Sequence, residues 1–395
     1  MGKSSKDKRD AYYRLAKEQN WRARSAFKLI QLDEQFDLFS YQQPTSCTRV
    51  VDLCAAPGSW SQVLSRVLIR GESFGRRAWM EKMSKLVTAV KASSEQTQHS
   101  STALSQDMEE LEISEDEKPK LQPRPNVKIV AIDLQPMAPL EGIIQLQADI
   151  THPSTVGRML AALNPEKAEE EFELVDLVIS DGAPDVTGLH DLDIHIQSQL
   201  LYSALTLAIR VLRPGGKFVA KIFRGKDVDL IYAQLKLLFK RVHIAKPRSS
   251  RASSIEAFVV CEDYTPIPGW SPALGRPVNV PEQIPAMMDE EIRQLPEQTR
   301  TIREDGVVEL TFPRREADNL QRHKRWVAPF LACGDLDSWD ADATYKLPEG
   351  HVSLDPVQPP TAPPYKDAIE RKRQEGGMYG KTKKTNQAQI VTQPW

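Results

Sequence analysis

The sequence has little cysteine, no long apolar run and no excess of one charge sign, and each shortage removes a class of protein. Only four cysteines, Cys47, Cys54, Cys261 and Cys333, occur in 395 residues, far apart and without a Cys-x-x-Cys pair or a histidine at ligand spacing. A disulfide framework and a metal site are therefore not expected. The thiols read as reduced and mostly buried, which suits an intracellular protein. No apolar stretch reaches the length of a membrane span, and Met1–Asp10 is too polar for a signal peptide. These absences together lead us to expect a cytoplasmic protein with no membrane contact. The net charge of −2 leaves the overall balance silent about partners.

Locally the charge is uneven. Between Met1 and Lys28 stand nine Lys or Arg (Lys3, Lys6, Lys8, Arg9, Arg14, Lys17, Arg22, Arg24 and Lys28) against Asp7, Asp10 and Glu18, a local charge of +6. Such a patch is an electrostatic footprint for phosphates, and it reads equally as a solvated chain end.

Five β-branched runs separated by helical patterns organise the first two thirds of the chain: Arg49–Cys54, Val127–Asp133, Ile143–Asp149, Val175–Asp181 and Gly216–Phe223. Their near-continuous apolar character suits strands buried on both faces, hence a parallel sheet. Two more runs follow, Arg241–Ala245 and Glu256–Cys261. Helices are expected over Ser59–Ile69, Ser154–Leu163, Ile194–Val211 and Asp227–Leu238. Ala23, Ala26, Phe27 and Ile30 make an apolar stripe before the first strand, placing Lys28 on a helix near the stripe's edge. The fold class is α/β, a doubly wound, Rossmann-like sheet with helices on both faces.

The expected layout is a basic arm over 1–21, one domain over 22–264 and an irregular, Pro-rich extension over 265–395. Within the domain, 70–125 turns Ser/Gln/Thr-rich and then acidic, with seven Asp or Glu between Asp107 and Glu117. We expect a disordered insertion there, with Arg76–Val90 as a candidate short helix. The extension holds a helix candidate at Asp289–Gln298, the run Trp326–Leu347, the proline run Pro356–Tyr365 and a basic tail, Lys366–Lys384.

The strongest local motif is Asp52-Leu-Cys-Ala-Ala-Pro-Gly-Ser-Trp-Ser-Gln62. A strand ends, a loop of small residues follows, and a helix starts near Ser59, whose free N–H groups and open backbone suit a ligand. Pro57 and Gly58 set the turn, and Trp60 is expected to supply a flat apolar wall. One glycine is too few for the dinucleotide fingerprint. Asp133 and Asp149 close the next two strands, positioned to accept from ribose hydroxyls and from an adenine amino group respectively. Any one acid alone reads as a helix cap or solvated loop residue. Asp52, Asp133 and Asp149 together read as a nucleoside site.

Asp52–Gln62, Ser180-Asp181-Gly-Ala-Pro184, Pro214–Lys221 and Lys246–Glu256, in this order, resemble the FtsJ-type 2′-O-ribose RNA methyltransferases. Gly58-Ser-Trp60, Val327–Leu336 and Pro359–Tyr365 resemble the eukaryotic cytoplasmic tRNA anticodon-loop subgroup of that family. The resemblance implies a class I S-adenosylmethionine-dependent methyltransferase with a Lys-Asp-Lys-Glu tetrad on Lys28, Asp181, Lys221 and Glu256. Asp181 would also border the cofactor. The implied substrate is tRNA, methylated at the wobble nucleotide and a second anticodon-loop ribose. Separate protein partners would select the position, docking on the C-terminal extension or the exposed domain surface. Methylation of ribosomal RNA or an mRNA cap is the enzymatic alternative, and a non-catalytic RNA-binding scaffold is the other.

The chemistry agrees with the tetrad. A ribose hydroxyl must lose its proton to attack a sulfonium methyl, so a base and tight positioning are needed. Lys221 is the expected base, its pKa lowered by burial and by Lys28 as a neighbouring cation. Asp181 and Glu256 would oppose that shift and are expected to orient the lysines and the hydroxyl. Arg248, Arg251 and the serines at 249, 250, 253 and 254 form a polar loop that either grips phosphate or is a mobile connection.

Overall fold

The computed structural model describes residues 10–96, 121–166, 173–184, 189–225, 228–266, 300–302, 308–310, 328–335, 339–346, 354 and 357. Its strands are β1 (Arg49–Leu53), β2 (Lys128–Asp133), β3 (Ile143–Gln147), β4 (Val175–Ser180), β5 (Leu212–Phe223), β6 (Phe239–Pro247) and β7 (Glu256–Tyr264). Three short ones follow, β8 (Arg300–Ile302), β9 (Val308–Leu310) and β10 (Phe330–Cys333). The helices are α1 (Ala11–Glu18), α2 (Ala26–Phe36), α3 (Ser59–Leu64), α4 (Gly75–Gln96), α5 (Ser154–Leu163), α6 (His190–Val211) and α7 (Val228–Lys236). A wide π-type turn, Ser65–Ile69, continues α3.

The main sheet has eight strands in the order β10-β6-β7-β5-β4-β1-β2-β3, and β8 pairs with β9 separately. β1 lies between β2 and β4 and runs parallel to both. The chain thus reverses its winding at β1, and this switch point opens a crevice beyond the strands' carboxyl ends. β7 runs antiparallel between β5 and β6. The central strands are apolar throughout because both faces are covered: all five residues of β1 are buried. One face packs Val51, Val130, Val178 and Ala220 under α5, α6 and α7. The other packs Val50, Ile179, Val219 and Phe258 under α2 and α3. Each Val, Ile or Leu so buried stabilises the fold by about 1.5–3 kcal/mol.

Three boundaries differ from the sequence reading. Within the insertion over 70–125, expected to be disordered apart from a short helix at Arg76–Val90, that helix is present and longer, the 22-residue α4. Arg76 N donates to Asp33 Oδ2 of α2 (2.8 Å), tying the start of α4 down. The segment's ends are clasped too, since Gln122 N donates to Gly71 O at 3.1 Å and Arg124 N to Leu68 O at 3.0 Å. The acidic block at 107–117 lies outside the described residues. The expected arm over 1–21 contains α1, which buries Ala11, Tyr12, Ala16 and Lys17 against the domain. The extension after 264 contributes β10, which pairs in parallel with β6 at the sheet edge. Its expected helix at 289–298, proline run and basic tail lie outside the described residues, save Val357.

Candidate active site

Sheet register brings the acids and lysines to one edge. Leu53 pairs with Ser180 and Ser180 with Ala220, so the next residues, Cys54, Asp181 and Lys221, follow one another across the strand ends. β7 runs the other way, so its first residue, Glu256, arrives at this same edge, paired with Phe223. Lys28 reaches in from α2. Lys28 Nζ is 2.6 Å from Glu256 Oε1, Lys221 Nζ is 3.6 Å from Glu256 Oε2, and Lys221 Nζ is 2.6 Å from Asp181 Oδ1. Lys221 also donates to the Asp181 carbonyl at 2.9 Å. The four expected catalytic residues thus form one continuous chain of alternating charge, its lysines buried and its carboxylates half-buried.

Protonation in this chain departs from the expectation for Lys221. Burial pulls the lysine's pKa down, but Asp181 and Glu256 outweigh it, and the net shift is upward. Lys28 moves the other way: burial dominates, Glu256 opposes it, and Lys221 adds repulsion, leaving its pKa lowered. Burial would raise the Glu256 carboxyl, yet Lys28 and Lys221 hold it below the usual carboxylate range. A lone buried carboxylate would be costly, and two shared ammonium groups remove that cost.

The loop after β1 forms the neighbouring pocket wall. Gly58 has φ +97°, and a side chain there would meet Arg22 Nη1 at 2.7 Å, so only glycine suits the turn. Arg22 braces the loop by donating to Pro57 O (3.0 Å) and Pro139 O (2.9 Å). Asp133 binds it from β2, accepting Ala56 N at 2.9 Å through Oδ2 and Gln135 N at 2.8 Å through Oδ1. Asp52 lies inside β1 rather than at its end, wholly buried, and accepts from Ser61 Oγ at 2.6 Å through Oδ2. Its Oδ1 is buried without a hydrogen-bond partner. Burial, with repulsion from Asp181 and Asp133, pushes the Asp52 carboxyl up to about 7. Asp149 sits two residues beyond β3, exposed, with Oδ1 accepting from Thr151 N (2.8 Å) and Thr151 Oγ1 (2.7 Å).

Trp60 is not the expected open wall. It is 2% exposed, its ring stands 5.6 Å from Phe258, and its Nε1 donates to Ser25 O at 2.9 Å. It therefore anchors the loop from behind. The loop over 248–254 also departs from the phosphate-gripping reading, because Arg248 donates to Asp335 O (2.9 Å) and Arg251 pairs with Asp10 (3.1 Å).

Two buried amides escaped the sequence reading. Gln197 of α6 donates through Nε2 to Gly182 O (3.1 Å) and Lys221 O (2.9 Å), fixing the backbone on both sides of the Asp181–Lys221 pair. Gln31 of α2 accepts from Ser249 N at 2.9 Å. Each lies one turn from a buried charged residue, Gln31 from Lys28 and Gln197 from Asp193, and as neutral amides neither adds to a charge pattern.

Acids at the strand ends around the switch point, with Lys28, Lys221 and Glu256 linked to Asp181, suit a group-transfer enzyme on a Rossmann-like sheet. The chain belongs to the FtsJ-like methyltransferase family, whose model matches residues 21–264. It is 49% identical to the tRNA (cytidine(32)/guanosine(34)-2′-O)-methyltransferase of Schizosaccharomyces pombe, over 94% of this chain and 98% of that protein. The Homo sapiens protein of the same description is 43% identical over 94% of this chain and 86% of its own length. The 27S pre-rRNA (guanosine(2922)-2′-O)-methyltransferase of Saccharomyces cerevisiae is 31% identical over 84% of this chain, but over only 31% of its own length.

Proposed function

We propose that the protein transfers a methyl group from S-adenosylmethionine to ribose 2′-hydroxyls of the tRNA anticodon loop, at the wobble nucleotide and a second loop nucleotide. The unbroken chain of ion pairs Lys28–Glu256–Lys221–Asp181 carries this reading. Near full-length similarity to tRNA enzymes favours tRNA over ribosomal RNA, since the pre-rRNA relative is matched over less than a third of its length. A scaffold has no need of four interleaved charges buried at a strand edge.

The crevice suits that cofactor. Asp52, Asp133 and Asp181 lie near enough that the latter two raise the Asp52 pKa, and Asp52 Oδ1 lacks a partner. A ligand bringing an ammonium and a sulfonium relieves both strains. Asp52 and Asp181 would hold its cationic part, the Ala55–Gly58 backbone would line its approach, and Asp133 and Asp149 would accept from its ribose and adenine. Bound there, S-adenosylmethionine supplies the electrophilic methyl.

Lys221 takes the hydroxyl proton. Asp181 and Glu256 keep it charged in the free protein, so it serves as a base only once that pairing loosens in the filled site and the ammonium has released one proton to solvent. Lys28 holds Glu256 by its other oxygen, so Glu256 is not left to neutralise Lys221 alone. Gln197 fixes the carbonyl of Lys221 while its ammonium shifts. Separate protein partners choosing the ribose, and a cytoplasmic location, complete the reading. Among the described residues, no helix is long and apolar enough to cross a membrane.

The test is methylation of purified total tRNA and rRNA, mapped by mass spectrometry. Methyl groups confined to the anticodon loop are expected, with position choice sharpened by cell extract. Methylation of rRNA alone, or of neither RNA, would overturn the reading.

A further inference from the structure

Glu256 is fixed by more than the two lysines, because Ser250 Oγ donates to its Oε1 at 2.8 Å. Ser250 belongs to the loop over 248–254, which three distant parts of the chain hold. Gln31 Oε1 accepts the Ser249 N–H, and Arg24 donates to the Ser249 carbonyl. Ser249 is fully buried, so neither backbone group has water as an alternative. Residues 328–335 and 339–346 hold the loop's outer side: Arg248 N donates to Cys333 O at 2.9 Å, and Ala252 N to the Asp342 carboxylate.

Gln31 joins these supports. Its Nε2 donates to Tyr12 Oη at 3.0 Å, and Tyr12 Oη donates to Trp339 O at 2.7 Å. Tyr12 and Gln31 are both buried. Gly334 has φ +112°, and a Cβ there would lie 3.0 Å from Gln31 Nε2, so the segment passes directly over the amide. Lys28 and Gln31 stand three residues apart on α2, one turn of one helix face. α2 therefore grips Glu256 twice, directly through Lys28 and through Ser249–Ser250 by way of Gln31.

We infer that Gln31 is a positioning residue that sets Glu256 for methyl transfer, and that residues 328–335 and 339–346 are the outer half of the same support. The inference rests on the methyl-transfer reading above. A fixed Glu256 holds Lys221 at the reacting edge without touching the RNA, so disturbing it slows the chemical step rather than weakening binding.

The experiment is single-turnover methylation of tRNA at saturating cofactor and tRNA, with tRNA KM and cofactor Kd measured alongside. Gln31→Met keeps the shape and removes both hydrogen bonds, and it should lower the rate about tenfold while KM and Kd stay within about twofold. Gln31→Glu retains an oxygen for the Ser249 amide and should recover most of the rate. Tyr12→Phe, which removes the hydroxyl joining Gln31 Nε2 to Trp339 O but leaves the Ser249 bond, should lower it about threefold. A wild-type rate in all three variants, or a raised KM at an unchanged rate, overturns the inference. If Gln31→Met does not fold, the other two decide: equal, wild-type rates in both overturn it. Wild-type protein that methylates no RNA overturns the methyl-transfer reading and this inference with it. An active wild type with unaffected variants overturns the inference alone.

Discussion

Lys28 and Lys221 share Glu256, and this sharing decides which side chains at the site can change their protonation. Lys221→Ala should abolish turnover while the protein still folds, less stably because Asp181 loses its ammonium partner, and cofactor affinity remains near wild type, as single-turnover assays and calorimetry would show. Substantial residual activity would move the base role elsewhere. Asp52 offers a test that needs no substrate. Its carboxyl is raised from 3.8 to about 7 on folding, so the folded chain binds this proton more tightly. Its contribution to stability is full below the unfolded pKa and disappears as pH rises through the folded one. Asp52→Asn removes that titration, so the variant should gain stability relative to wild type between pH 5 and pH 8. The gain is on the order of 1 kcal/mol or more, read from denaturant midpoints. Parallel pH profiles for the two proteins would rule the assignment out. The tetrad was legible in the sequence because strand ends and family blocks fall together at Asp181, Lys221 and Glu256. Gln31 and Gln197 were not, since a neutral amide leaves no charge pattern. Trp60 was misread although 60, 63, 64, 67 and 68 recur at helical spacing, which places its indole on the core face.

The strands and most helices follow from β-branched runs and helical periodicity, and α5 spans Ser154–Leu163 as expected. The elements misjudged are those whose order comes from partners distant in sequence. α4 includes the candidate helix Arg76–Val90 but runs on to Gln96, and Asp33, buried on α2, accepts the Arg76 N–H at its start. β10 is four residues long and is a strand because β6 leaves an edge to pair. This sets a prediction for the insertion. Because 71 and 122 are already clasped, replacing 97–120 with a short Gly/Ser linker should leave the methylation rate within about twofold and the thermal midpoint unchanged. Extending the replacement back to Gly75 strips Arg76 N from the buried Asp33 carboxylate. An unsatisfied buried acceptor costs about 1–3 kcal/mol, so the midpoint should fall by several degrees. Equal midpoints for both deletions would show that α4 adds nothing to the fold.

At the scale of the whole molecule, a chain of net charge −2 must hold a polyanion, so the distribution of its cations matters more than their number. Three of the N-terminal basic residues have structural partners within the domain. Arg22 braces the cofactor loop, Arg24 pairs with Asp10 and Ser249 O, and Lys28 belongs to the tetrad. These cations are used inside the protein. Lys3, Lys6, Lys8 and Arg9 lie outside the described residues, and the stretch joins the domain at Asp10, beside Arg251 and the loop that supports Glu256. Neutralising all four to Gln should therefore act on phosphates alone. Every phosphate no longer neutralised flattens the slope of log affinity against log salt by about 0.7–0.9, so a change of two or three phosphates should be measurable. The tRNA KM should rise, and the single-turnover rate at saturating tRNA should stay unchanged, because Glu256 is held by Lys28, Lys221 and Ser250. Arg22→Gln should do the reverse, weakening cofactor binding through the loosened Pro57–Gly58 turn while leaving the salt slope intact. If the fourfold variant keeps the wild-type slope, the stretch is only a solvated chain end. If it slows single turnover at unchanged binding, these residues position the site instead.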